Sequence, residues 1–240
     1  MIDWLLGSRS DPKVAIGDRQ LPLAIKRHPR ATRLTMRLAP DGAEVRITMP
    51  RWGRTADAVA FASSRVAWLE QQLLALPAAR PPAPDGSIAF RGTVLAIDWQ
   101  PSHPRTPALR GGRLSVGGPQ ETLQPRLRRW LEARALDLFA EDLQFYCARA
   151  DLPLPDLRLS RATRRWGSCS GKGCIRLNWR LVQAPDPVRR SVVAHEVAHL
   201  THFDHSPAFH AQLAWLFEGN LRETESWLKR EGRGLYAAFG

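Results

Sequence analysis

Residues 186–210 read DPVRRSVVAHEVAHLTHFDHSPAFH, and they contain the strongest local signals in the chain. The first half predicts a helix start, because Asp186 can cap an N-terminus and Pro187 suits the first helical position. Apolar residues then recur along one face, so burial rather than propensity is expected to hold this helix. They are Val188, Val192, Val193 and Val197.

The predicted helix carries the motif His-Glu-x-x-His at His195, Glu196 and His199. Side chains four residues apart lie on one helix face, so the two imidazoles stand about 6 Å apart and one divalent ion can bridge them. Glu196, next to the first ligand, points towards a water on that metal. The metal acidifies this water, and Glu196 takes its proton as general base and can return it to the leaving group.

A catalytic zinc ion takes three protein ligands, and the candidates for the third are His202, His205 and His210. In a straight helix His202 lies about 10 Å along the axis from the first ligand, which is too far for one ion. Ser206-Pro207 predicts that a new helix begins after a break, and a turn there can bring His205 back over the first helix. The predicted zinc ligands are therefore His195, His199 and His205, with His210 in reserve.

Three segments around this motif resemble the YgjP-like metal-dependent hydrolases, bacterial proteins related to the SprT-like zinc metallopeptidases. They are residues 165–170 (RWGSCS), residues 175–181 (IRLNWRL) and the run from His195 through His205-Ser206-Pro207. The close match covers residues 160–215. The resemblance implies that His195, His199 and His205 bind zinc and that Glu196 is catalytic.

Two positions depart from the pattern of that family. Asp204 stands where the family usually has Asn, and His210 stands where it usually has an aromatic residue. Neither position belongs to the predicted ligands, but His210 could add a polar group near the metal.

The composition is typical of a soluble globular protein. The chain has 240 residues, 44% of them apolar, with no apolar run long enough for a transmembrane helix and no signal-peptide pattern at its start. Three cysteines without metal-type spacing fit a reducing compartment. We therefore expect a cytoplasmic protein with no membrane partner.

The net charge of +12 raises the question of an acidic partner or nucleic acid. Only four of the 35 basic residues are lysine, so 35 − 4 = 31 are arginine. A GC-rich genome would produce such a skew without selection for binding. The charge alone leaves both interpretations open.

Alternating apolar residues and turn residues predict that residues 1–120 form a β-rich N-terminal domain with one helix. Residues 34–38 and 45–49 alternate with period two around Pro40-Asp41-Gly42, which predicts a hairpin. The helix is predicted over residues 55–76. A proline-rich connector at 77–86 and further strands follow it.

Residues 121–240 are predicted to form a mainly helical, zincin-like metallohydrolase domain with a small sheet, so the fold class is α+β. A long helix covers about 123–150, and a turn at 166–173 joins strands at 157–159 and 174–182. Helices at 207–218 and 221–231 follow the metal helix. The strand beside that helix resembles the edge strand that metallopeptidases present to an extended substrate.

The reaction also needs donors for the developing oxyanion and contacts for the substrate. The candidates are Arg164, Arg165, Ser168, Asn178 and His202. The preferred function is a zinc-dependent metallopeptidase that hydrolyses peptide bonds of a peptide or protein substrate.

Two other functions stay open at this point. A metal-dependent nucleoside triphosphate (UTP-type) pyrophosphatase is an activity that the resemblance implies. For it, Arg164, Arg165, Arg176 and Arg180 could hold the triphosphate. A non-catalytic zinc-containing module that binds DNA or protein is less favoured, because structural zinc sites are closed by four ligands.

Overall fold

The computed structural model describes residues 12–76 and 78–239, and the chain divides into two compact units, Met1–Pro77 and Ala78–Gly240. The described residues form six α-helices and three small mixed sheets, so the predicted α+β class is confirmed. None of these helices is long and apolar enough to cross a membrane.

The first unit is a four-stranded sheet with two helices. Its elements are β1 (Lys13–Ile16), β2 (Arg19–Arg27), β3 (Thr35–Leu38), β4 (Val45–Met49), α1 (Thr55–Ser63) and α2 (Val66–Leu74). The strands are ordered β1-β2-β4-β3, and β2 runs parallel to β4. Strands β3 and β4 pair antiparallel with Met36 opposite Ile47, as the predicted hairpin requires.

The helix predicted over residues 55–76 is in fact two helices. Arg65 leaves the helical region, with φ −125° and ψ 24°, and the hydroxyl of Ser64 donates to the carbonyl of Phe61. A serine that bonds to nearby backbone competes with the helical pattern, and such local bonding accounts for the interruption between α1 and α2.

The second unit contains two sheets and four helices. Its elements are β5 (Ser87–Phe90), β6 (Thr93–Trp99), β7 (Ala108–Arg110), β8 (Arg113–Val116), α3 (Leu123–Ala150), β9 (Asp156–Ser160), β10 (Gly167–Cys169), β11 (Cys174–Asn178), α4 (Asp186–Ala198), α5 (Pro207–Leu216) and α6 (Leu221–Glu231). The strand orders are β5-β6-β8-β7 and β10-β11-β9. The first of these sheets has the same strand topology as the sheet of the first unit.

The long helix α3 forms the centre of the second unit. Leu131 and Phe139 of this helix are fully buried, in one apolar cluster with Ile97 and Leu114 of the preceding sheet. The predicted domain boundary at residue 120 therefore differs from the division between Pro77 and Ala78. Residues 78–120 share a core with the helix that follows them.

The segment before α4 differs from its prediction in two respects. The predicted turn at 166–173 contains the short strand β10, which pairs antiparallel with β11 and forms one edge of the sheet. Residues 179–183 form a 3₁₀ turn instead of continuing the strand, because the side chain of Asn178 accepts a hydrogen bond from the Arg180 N–H. The alternation of apolar residues predicts neither strand β10 nor the 3₁₀ turn, because both depend on particular hydrogen bonds.

Candidate metal centre

Helix α4 provides the first part of the candidate site. It begins at Asp186 after the N-cap residue Pro185, so the cap lies one residue earlier than the sequence suggests. Val193 and Val197 are fully buried in the main core of the unit. This burial of one face orients the polar residues at the C-terminal end of the helix.

The chain turns after α4 and returns through His205. His199 is the C-cap residue of α4, and the His202 N–H still donates to the carbonyl of Ala198 at 3.0 Å. Ser206 caps α5 by accepting a hydrogen bond from the Phe209 N–H at 3.4 Å, as the Ser-Pro pair predicts. The turn places the His205 ring beside the two histidines of α4.

The rings of His195, His199 and His205 converge, and a ligand atom of each lies within 4.8 Å of the others. The Nε2 atom of His195 lies 3.1 Å from Nε2 of His199 and 3.3 Å from Nε2 of His205. A tetrahedral zinc ion with Zn–N bonds of about 2.0–2.1 Å keeps its nitrogen ligands about 3.3–3.4 Å apart. Both separations from His195 match this spacing, and all three rings lie close enough for one ion to be shared.

Hydrogen bonding also fits these rings to a metal. The Nδ1 atom of His199 lies 2.8 Å from the carbonyl of His202, a bond that requires a proton on Nδ1 and leaves the Nε2 lone pair free. The Nε2 atom of His195 carries at most one proton, so hydrogen bonding cannot satisfy both of its nitrogen neighbours. Burial, together with the charges of nearby histidines, lowers the pKa of His195 to about 4 and keeps it neutral at pH 7.

The fully buried ring of Phe209 lies beneath the three histidines. Its centroid lies 4.9 Å from that of His195, 4.5 Å from that of His199 and 4.8 Å from that of His205. Such a contact limits the rotation of all three imidazoles. The sequence motifs do not mark Phe209 as part of the site, although its position three residues after the Ser206 cap turns it back towards α4.

Glu196 is buried beside the histidines, with 5% of its surface exposed. Burial raises its pKa to about 7, against the opposing effects of the Arg165 charge and of the Cys169 N–H, which donates to the carboxylate. Its Oε2 atom is buried and accepts no hydrogen bond from any described residue. A buried carboxylate oxygen with no partner indicates a place for a proton donor from outside the chain.

Strand β10 lies against this carboxylate at Gly167. A Cβ atom at this position would stand 2.3 Å from Oε1 and 2.7 Å from Cδ of Glu196. Glycine therefore permits the close approach of the edge strand to the glutamate. This segment was predicted to be a turn, and Gly167 was not among the predicted site residues.

The predicted substrate contacts lie in different environments. Arg164 and Arg165 are exposed, and only Arg165 has a resolved electrostatic effect on Glu196. Asn178 is fully buried, and its side-chain nitrogen donates to the carbonyl of Ala162 at 2.8 Å, so its amide serves the fold. His202 is half-buried and contributes its carbonyl to the His199 bond.

The remaining predicted residues are placed as follows. His210 is exposed, with its ring centroid 6.3 Å from that of His205. Ser168 is half-buried and lies opposite Arg176, which is exposed, on the neighbouring strand. Arg180 is buried between the rings of Trp179 and Tyr236, at 4.7 and 4.5 Å from their centroids. It therefore does not extend to a substrate as the triphosphate hypothesis expects.

His195 and Glu196 of α4, its C-cap residue His199 and His205 from the following turn together define the class of a metal-dependent hydrolase site. Residues 33–231 match the family model described as YgjP-like, metallopeptidase domain. The chain therefore belongs to the YgjP-like family and carries its metallopeptidase domain.

The searches of curated proteins and of solved structures add one similarity. No curated protein matches the sequence. The crystal structure of the metallopeptidase zymogen of Pyrococcus abyssi abylysin is similar over 40% of this chain and 93% of that chain, with 20% identity and a TM-score of 0.35.

Proposed function

We propose that the protein is a zinc-dependent metallopeptidase in which His195, His199 and His205 hold the ion and Glu196 is the general base. The observation that carries this proposal is the buried Oε2 atom of Glu196, which has no partner among the described residues and belongs to the residue next to a metal-suited histidine. A structural zinc site would need a fourth ligand instead of a free carboxylate.

The ligand set favours zinc over magnesium or calcium. The three candidate ligands are imidazole nitrogens, whereas Mg²⁺ and Ca²⁺ prefer oxygen ligands. Held by three neutral imidazoles, a zinc ion supplies the Lewis acidity that lowers the pKa of a water molecule towards neutrality.

The protein's own groups then move the proton. Glu196 accepts the proton of the attacking water and delivers it to the leaving nitrogen of the peptide. The N–H of Cys169 and the close approach of Gly167 hold the carboxylate in one orientation. Arg165, exposed and close enough to act on Glu196, is the candidate contact for the substrate carbonyl or a neighbouring acidic group.

The proposal extends to the substrate class and the compartment. A peptide or protein substrate is supported by the family's metallopeptidase domain, and the three cysteines are free thiols, which supports a reducing cytoplasm. The UTP-type pyrophosphatase is weakened by the burial of Arg180, but Arg164 and Arg165 remain exposed and keep it worth testing.

The test compares the zinc-loaded protein with its Glu196→Gln variant on an unfolded protein substrate and, in parallel, on UTP. We expect peptide cleavage to fall by about 10²–10⁴-fold in the variant, because the general base is lost. Metal content, measured by mass spectrometry, should stay at the wild-type value. Glu231→Gln makes the same chemical change at an exposed position of the same unit and should leave cleavage unchanged.

Each other outcome contradicts a distinct part of the proposal. Undiminished cleavage by Glu196→Gln would exclude this residue as the base. Glu196-dependent release of pyrophosphate from UTP, with the protein substrate intact, would replace the peptidase by the pyrophosphatase.

A further inference from the structure

One stretch of the first unit is strongly basic. Residues 19–40 contain six basic residues and no aspartate or glutamate. The basic residues are Arg19, Lys26, Arg27, Arg30, Arg33 and Arg37. Composition alone does not tell which of these residues lie at the same edge of the sheet, but the strand order does.

The sheet topology brings two loops to the same edge. Strands β2 and β4 are parallel, with Arg27 opposite Met49, so the chain leaves both strands at the same end of the sheet. Strand β3 begins at that end, because Thr35 pairs with Thr48. Strand β4 lies between β2 and β3. The loop after β4 is therefore flanked by both ends of the basic loop at residues 28–34.

The loop after β4 presents an exposed tryptophan on a fixed turn. Pro50 and Gly53 are buried, and the Gly53 N–H donates to the Pro50 carbonyl at 3.1 Å. The guanidinium of Arg27 donates to the Gly53 carbonyl at 3.3 Å and ties the two loops together. Trp52, at the tip of the turn, is 79% exposed. An indole held outside the core by a fixed backbone is ordered at low entropic cost when it binds a flat partner.

Three arginines of these two loops have no acidic partner. Arg30, Arg33 and Arg51 are exposed, and none of them forms an ion pair with another described residue. In contrast, Arg54 in the same region is paired with Asp57 at 3.2 Å. We name the surface formed by Arg30, Arg33, Arg51 and Trp52 the Trp52 edge.

We propose that the Trp52 edge binds single-stranded nucleic acid, with a base stacked on the Trp52 indole and phosphates contacting the three arginines. Single-stranded chains expose π faces and a regular negative charge, and aromatic residues between cations recognise both features. An acidic polypeptide could pair with the arginines, but its carboxylates offer no flat ring to stack on the exposed indole. This function goes beyond the proposed peptidase and uses other residues.

The test measures binding of a fluorescein-labelled 20-mer of thymidine, and of the matching uridine 20-mer, to the full chain by fluorescence anisotropy between 50 and 200 mM salt. Trp52→Ala should raise Kd about 5- to 160-fold without changing its salt dependence, because a stacked base is worth about 1–3 kcal/mol. The triple variant R30Q/R33Q/R51Q should reduce the slope of log K against log salt by about 2, since each single-strand phosphate contributes about 0.7.

Matched variants separate this surface from general charge. R19Q/R110Q/R113Q removes the same three charges from exposed positions elsewhere and should weaken binding clearly less than R30Q/R33Q/R51Q. Glu196→Gln should bind like wild type, so this test is independent of the peptidase proposal. Circular dichroism verifies that each variant is folded.

The proposal would be overturned by no binding at 50 mM salt, by equal losses in the two triple variants, or by an unchanged Kd for Trp52→Ala. Equal competition by polyglutamate would also overturn it and indicate an acidic polypeptide as the partner. The thymidine and uridine arms identify which nucleic acid is preferred.

Discussion

Both ends of helix α4 carry charged or titratable side chains that are largely buried. At one end these side chains have partners within the protein, and at the other end some of their atoms have none. At the N-terminal end Arg189 donates to Asp142 of α3 at 2.7 Å, and both side chains are 4% exposed. Arg189 also contacts Asp186 of its own helix. The next residue of the helix, Arg190, pairs with Glu218 at 2.5 Å. Every charge in this network has a protein partner.

At the C-terminal end of the same helix the polar atoms face one another without complete pairing. The Oε2 atom of Glu196 has no partner among the described residues, and the Nε2 atom of His195 has more nitrogen neighbours than it can satisfy. Buried polar groups are almost always hydrogen-bonded in folded proteins. The difference therefore separates a network that holds the helix from a site that, under the proposed function, a metal and a substrate would complete.

The largest expected effect is the loss of metal in His199→Ala. With two of the three candidate ligands left, the variant should lose zinc on dialysis and show no turnover. Zinc at a hundredfold excess over Kd should stabilise the wild type by about 2.7 kcal/mol and the variant by much less. Metal analysis and thermal unfolding with and without zinc measure both. His202→Ala, which keeps the backbone carbonyl that accepts from His199, is the control, and full zinc retention by His199→Ala would contradict the ligand assignment.

The next effect concerns the paired end of the helix. Arg189→Leu leaves Asp142 buried with a weaker partner, Arg190 at 3.7 Å, and should lower the free energy of unfolding by about 3–5 kcal/mol. Urea unfolding measures this loss. Arg134→Leu breaks an exposed pair with Asp137 and should cost less than about 1 kcal/mol. Equal losses in the two variants would mean that the buried network does not hold the helix.

A smaller effect is expected at the edge strand. In Gly167→Ala the new Cβ would collide with the Glu196 carboxylate, so the base must move, and kcat should fall about a hundredfold. Zinc content should not change, because the histidines are not displaced. Gly171→Ala, where a Cβ meets no atom within 4 Å, is the control. A Gly167→Ala enzyme with wild-type kcat would show that the position of the glutamate does not depend on this glycine.

The smallest effect is expected for Tyr146→Phe. The hydroxyl of Tyr146 donates to Glu218 at 2.8 Å and accepts from Arg190 at 3.3 Å. Those two charged groups also pair with each other, so the variant should lose only about 1 kcal/mol of unfolding free energy. Urea unfolding and kcat are the measurements, and kcat should stay unchanged. A large fall in kcat would mean that the paired end of α4 also takes part in the reaction.

Local sequence patterns were sufficient to predict the fold class and the three histidines that converge. The i,i+4 spacing of His195 and His199 is a property of any helix, and Ser206-Pro207 marks a helix start by its own chemistry. Both signals depend on neighbours within a few residues, so the break that brings His205 back could be predicted without knowledge of the packing. The hairpin of β3 and β4 was predictable for the same reason.

Other features depended on residues that are distant in sequence, and only the tertiary structure decided them. Gly167 matters because a strand 29 residues before Glu196 packs against its carboxylate. Arg180 and Asn178 look like surface residues in an alternating strand, yet both are buried by contacts near the C-terminal end of the chain. The sequence by itself determined which side chains could bind a metal, because ligand chemistry and helical spacing are local. Burial and strand order, which are long-range, decided which polar groups remain unpaired and which arginine-bearing loop lies beside the loop of Trp52.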